Sequence, residues 1–86
     1  SFFEAQLRIT ADLLELANQH EAKDLVICVS HSDPIRLAAA YFFGLPLDLF
    51  QRLTVSPGSI TTLTMSEMGV RILNINCQPD FRIGEI

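Results

Sequence analysis

One histidine, two serines and an aspartate stand together at Ser30-His31-Ser32-Asp33. An apolar run, Leu25 to Val29, stops just before them, and Pro34 opens a helical pattern just after. That order places an imidazole at the carboxyl end of a buried strand and beside the amino end of a helix. In open α/β sheets ligands bind at this junction, and helix amino termini favour anions. Phosphate suits the set: the ring can donate one hydrogen bond and the Ser32 backbone N–H another, with help from the helix terminus. An imidazole titrates near neutrality, so a bound phosphate can hold it charged where a transition state needs positive charge. His31 is therefore the candidate catalytic residue and Ser32 the candidate phosphate-binding residue, through its backbone N–H. Ser30 is a secondary candidate.

The neighbouring residues divide between chemistry and support. The plainer role for His31 is to close a strand end by bonding a nearby carbonyl. Asp33 would repel a phosphate unless turned away, so it is assigned to helix capping and orientation. A hydrolase triad is excluded: four adjacent residues cannot fold back on one another in that geometry, and no Gly-x-Ser-x-Gly elbow exists. Arg8 and Arg36 could reach an anionic substrate, although a solvated helix surface is the ordinary place for an arginine. Ser59, after Pro57-Gly58, could line the rim or bond its own loop. His20 lies in a polar cluster that ends a helix and reads as exposed. Neither histidine has a cysteine near it in a zinc-ligand pattern, so no metal and no cofactor are expected.

Bulk composition narrows the setting. Eighty-six residues make one domain at most, with a small buried fraction. Yet 49% of the residues are hydrophobic, too many for a disordered segment. Such a chain is expected to be covered by more of its own domain or by a second copy, as a homo-oligomer or swapped dimer. No apolar run approaches the ~18 residues that span a bilayer. The start, Ser1-Phe2-Phe3-Glu4, has no initiator Met and no secretory-signal pattern, which predicts a chain cut from something longer. A net charge of −4 with six scattered Lys and Arg argues against a nucleic-acid surface. Cys28 inside an apolar strand reads as a small buried hydrophobe, and with Cys77 it predicts a reduced, cytoplasmic protein.

The elements that must position these groups follow from periodicity. Residues 2 to about 20 read as an amphipathic helix burying Phe3, Leu7, Leu14 and Ala17, widened by Phe2, Leu13 and Leu16. Leu25 to Val29 lacks alternation, the mark of a strand covered on both faces. With Asp33 as N-cap, a second helix runs from Pro34 to about Phe43 and stops at Gly44. Leu45 to Leu53 reads as a short helical turn, and Ser56-Pro57-Gly58-Ser59 as a loop. Ile60 to Met65 and Val70 to Asn76 form a hairpin around Ser66-Glu67-Met68-Gly69, followed by an irregular tail containing Pro79 and Gly84. The fold class is α/β: a partial three-layer α/β/α sandwich made of helix–strand–helix and a C-terminal β-hairpin. Three strands leave a sheet edge unpaired, which again predicts a further portion of the domain.

Leu25-Val26-Ile27-Cys28-Val29-Ser30-His31-Ser32-Asp33-Pro34-Ile35-Arg36 resembles the second-histidine motif of the histidine phosphatase superfamily, the phosphoglycerate-mutase-like proteins. There a buried strand ends in Ser-His-Gly and leads into a helix with an Ile-Arg step. Gly44-Leu45-Pro46-Leu47, Phe50, Arg52-Leu53, the Ser56-to-Ser59 loop and Ile72-Leu73-Asn74-Ile75-Asn76 continue the likeness to that family's C-terminal portion. Ser1-Phe2-Phe3-Glu4, with Arg8 a turn later, resembles the segment after the family's Glu-Ser dipeptide. The resemblance implies that residues 1–86 are the C-terminal portion of a single domain of phosphoglycerate-mutase-like fold. It implies a metal-independent phosphatase or mutase acting through a phosphohistidine on a phosphorylated small molecule. His31 would steady the moving phosphoryl group, and the Ser32 N–H would bind it. The departures are plain: the Arg-His-Gly nucleophile motif does not occur in these residues, and Ser32 stands where the family has Gly. The 86 residues alone are therefore expected to be inactive. The alternative is a non-catalytic, truncated module that binds a partner or phosphate without turnover.

Overall fold

A computed structural model describes residues 1–79. Its elements are helix α1 (Phe2–Asn18), helix α2 (Ser32–Phe43), a 3₁₀ helix (Leu47–Arg52) and strands β1 (Ile60–Ser66) and β2 (Gly69–Cys77). The expected irregular tail lies, from residue 80 onward, outside the described residues.

Helix α1 begins with a serine whose hydroxyl oxygen accepts the Glu4 backbone N–H at 3.2 Å, while the Glu4 carboxylate bends back to accept from that hydroxyl at 2.9 Å. The Ser-x-x-Glu pair thus satisfies one of the donors that the first helical turn leaves unpaired, the carboxylate holding the hydroxyl in place. At the other end His20 is exposed, but it is not idle: its Nδ1 bonds the Leu16 carbonyl at 2.8 Å and helps close the last turn.

The face of α1 that packs differs from the one that periodicity selects. Phe2, Phe3, Leu7 and Leu14 are about half exposed, whereas Gln6 and Thr10 are buried. Leu13, Leu16 and Ala17 of the expected face are partly buried. The reason lies in where two polar groups find partners. Gln6 Nε2 donates to the Leu37 carbonyl of α2 at 3.0 Å, and Thr10 Oγ1 donates to the Gln6 carbonyl at 2.8 Å. Both can be buried because their hydrogen bonds are met without water, that of Gln6 across to α2 and that of Thr10 on its own helix. Ala5 and Ile9 complete that side.

Helix α2 carries the core. Leu37 and Ala40 are buried with Phe50 of the 3₁₀ helix, and Ala5, Ile9, Leu45, Leu47 and Leu53 pack around them. The Phe2 ring lies 4.9 Å from the Phe50 ring, centre to centre. Gly44 ends the helix in the left-handed region (φ 85°), which only glycine enters without cost. Its N–H reaches the Tyr41 carbonyl and the Leu45 N–H reaches the Ala40 carbonyl, so the chain turns and Leu45 folds back onto the core.

β1 and β2 pair antiparallel across a Glu67-Met68 turn, as expected for a hairpin. Register slips twice, between Ile60 and Thr62 and between Thr62 and Leu63, so β2 carries extra residues at its far end. Bulges of this kind bend a strand and redirect side chains.

The α/β class stands, but one expected strand does not form. Residues 21–30 are irregular and exposed, and Cys28 is an exposed free thiol rather than a buried one. An interior parallel strand needs a neighbour on each edge to accept its N–H groups and supply donors to its carbonyls. Among the described residues the two strands pair with each other, leaving none beside Leu25–Val29. Without that pairing its apolar side chains stay in solvent.

Candidate functional site

His31 is the residue from which α2 starts. It is the N-cap, in extended conformation (φ −104°, ψ 170°), and its side chain makes no capping hydrogen bond. The imidazole is thus not used up in holding the helix, and the residue is exposed. The helix begins at Ser32, two residues before Pro34, and its first bond runs from the Ile35 N–H to the His31 carbonyl at 3.2 Å. The Ser32 and Asp33 N–H groups precede that bond and have no acceptor within the helix. Pro34 costs nothing here, because its missing N–H would also be unpaired.

Asp33 is therefore not the N-cap; it sits in the first turn. The helix starts earlier because extended His31 already supplies the first accepting carbonyl. Asp33 instead pairs with Arg36, whose guanidinium donates to Asp33 Oδ1 at 2.6 Å and to Ser32 Oγ at 3.4 Å. The carboxylate nearest His31 in sequence is thus matched by a cation on its own helix. Arg36 is partly buried rather than solvated, and its Nε is buried without a partner among the described residues.

Ser30, His31, Ser32 and Ile35 line a cavity of about 450 Å³ together with Val55, Ser56, Pro57, Gly58 and Ser59. Four sequence candidates, Ser30, His31, Ser32 and Ser59, meet at this one place. Arg8 does not join them: it borders a separate hollow with Ser1, Glu4 and Ala5. The wall contributed by 55–59 is a tight turn in which the Ser59 N–H donates to the Ser56 carbonyl at 3.1 Å. Gly58 has φ 76°, the conformation that the residue after proline adopts in a type II turn. Ser59 Oγ is buried and bonds nothing among the described residues. A buried hydroxyl left so is unfavourable by about 1–3 kcal/mol. Asn76 was not singled out by its sequence context, yet its Oδ1 accepts the Ser56 N–H at 2.8 Å. Only its place at the end of an apolar strand pattern hinted at a special role.

Chemically, the junction offers one imidazole, backbone N–H groups at a helix start and a hydroxyl on the facing loop. These are donors suited to an anion with several oxygens. Among the described residues no His, Cys, Asp and Glu cluster could hold a metal ion, and no helix is long and apolar enough to cross a membrane. A family model described as histidine phosphatase superfamily (branch 1) matches residues 1–78. No curated protein and no solved structure gives a match.

Proposed function

The chain belongs to the histidine phosphatase superfamily, and on that premise we propose that it supplies the second, phosphoryl-stabilising histidine of a metal-independent phosphomonoesterase. The observation that carries this reading is the shared cavity: His31 and the first turn of α2 border it with the 55–59 loop. In the proposed reaction the phosphorus of a phosphorylated small molecule passes from its ester oxygen to a nucleophilic histidine nitrogen, and the ester oxygen leaves as the alcohol with a proton from a carboxylic acid that these 86 residues do not supply. Water then takes the phosphoryl group off as inorganic phosphate. His31 donates to a non-bridging oxygen throughout, and the Ser32 N–H donates to another. Donors fixed before the reaction stabilise the charge of the transferring group without reorganising. The nucleophile belongs to an Arg-His-Gly motif that these 86 residues do not contain, so the chain by itself does not turn over. A cytoplasmic setting fits two free thiols.

The test uses the full encoded protein with p-nitrophenyl phosphate as substrate and acid-labile phosphoenzyme as a second readout. His31→Ala lowers kcat by about 10²–10³-fold, the loss typical of one transition-state donor. A variant as fast as the parent removes His31 from the chemistry. If the coding sequence holds no Arg-His-Gly and the protein binds inorganic phosphate without hydrolysing esters, the non-catalytic module replaces this reading.

A further inference from the structure

We infer that Asn76 is a positioning residue for the cavity: its carboxamide fixes the Ser56–Ser59 turn beside His31 so that the Ser59 hydroxyl becomes a further donor to a bound phosphoryl group. The inference rests on the phosphate reading of the site and extends it to the far end of the hairpin.

Asn76 is the one non-glycine residue among those described with positive φ (60°). Asparagine tolerates that left-handed conformation better than most residues. It falls where the β1–β2 register slips between Ile60 and Thr62, so the bulge takes it out of the regular ladder. Its backbone N–H donates to Thr61 Oγ1 at 3.3 Å, which fixes the residue. Its Oδ1, freed to leave the sheet, accepts the Ser56 N–H twenty positions away. Ser56 is the first residue of the turn, and its carbonyl accepts the Ser59 N–H. One carboxamide thus ties the hairpin to the start of the turn, and the turn sets where Ser59 lies. Ser59 borders the cavity with His31, and its buried hydroxyl has no partner among the described residues. A buried hydroxyl is normally satisfied; rotated about χ1 toward the cavity that Ser59 lines, it would be satisfied by a phosphoryl oxygen there.

The test is NMR on the full encoded chain, combining amide exchange with titration by inorganic phosphate. Asn76→Gly keeps the left-handed backbone and removes the carboxamide; Asn76→Asp keeps an accepting oxygen. In Asn76→Gly, Ser56 amide exchange rises and phosphate affinity at His31 falls, each by about tenfold, as expected for one lost hydrogen bond. Asn76→Asp restores Ser56 protection. Ser59→Ala weakens phosphate without altering Ser56 exchange. The inference is overturned if Asn76→Gly exchanges faster at Ser56 yet binds phosphate as the parent does, because Asn76 is then only a hairpin tie. Unchanged Ser56 exchange overturns it as well. Failure of the underlying phosphate reading looks different: in the parent itself, phosphate leaves the His31 and Ser32 signals unmoved, and the donor role of Ser59 falls with it.

Discussion

Two apolar stretches flank His31. Leu25 is 85%, Ile27 81% and Val29 94% exposed, whereas Leu37 is 2% and Ala40 0% exposed. Both are apolar, the first rich in β-branched residues and the second in alanine; what decides their exposure is how each satisfies its backbone. In α2 every interior N–H finds a carbonyl on the same helix, so one packed face suffices to bury the apolar stripe. A strand has no internal partners, and burying it alone would strand its polar backbone. The cavity stands at the boundary between the two, with its ordered wall drawn from α2 and the 55–59 turn and its Ser30 edge from the open segment.

The contrast can be broken by mutation, most strongly in the core. Phe50→Ala should destabilise the chain by about 3–5 kcal/mol, read by urea unfolding, because a large buried ring leaves a cavity. A loss below about 1 kcal/mol would mean that the α2 side is no better packed than the open segment. Gly44→Ala should cost about 1–2 kcal/mol. A β-carbon there meets nothing within 4 Å, so backbone strain alone is at stake. An unchanged midpoint would show that the helix end does not hold Leu45 on the core. Smallest in stability is the doubly substituted Ile27→Lys, Val29→Lys chain, expected within about 0.5 kcal/mol of the parent. The same pair of lysines also acts on self-association. Exposed apolar segments drive association, so sedimentation should show dimers or larger species for the parent and a monomer for the double variant. A parent that stays monomeric at high concentration would remove the self-association reading.

Legibility followed the range of the interactions. Gly44, Pro34 and the Ser66–Gly69 turn act on residues a few positions away, and each element they punctuate lies close to where periodicity puts it. His31 and Ser32 stand out by residue type and by their junction and Ser59 by its Pro-Gly loop, and the fold brings all three to one cavity. Asp33 misled because a carboxylate before proline looks like a cap, while its partner is Arg36 in the next turn. The buried face of α1 misled because hydrophobicity ranks residue types, whereas Gln6 is buried with a bond to Leu37 that only the fold supplies, and Thr10 with a bond to the Gln6 carbonyl one turn back on its own helix.

Taken alone, the sequence determined the α/β class, the glycine stop of α2 and the hairpin, since each depends on residue chemistry and near spacing. The tertiary structure decided which side of α1 faces α2, that Leu25–Val29 stays unpaired, and that Asn76 reaches Ser56. Those outcomes turn on contacts between residues 31 and 20 positions apart, or on their lack, and on where each polar group finds its partner. No local pattern encodes them.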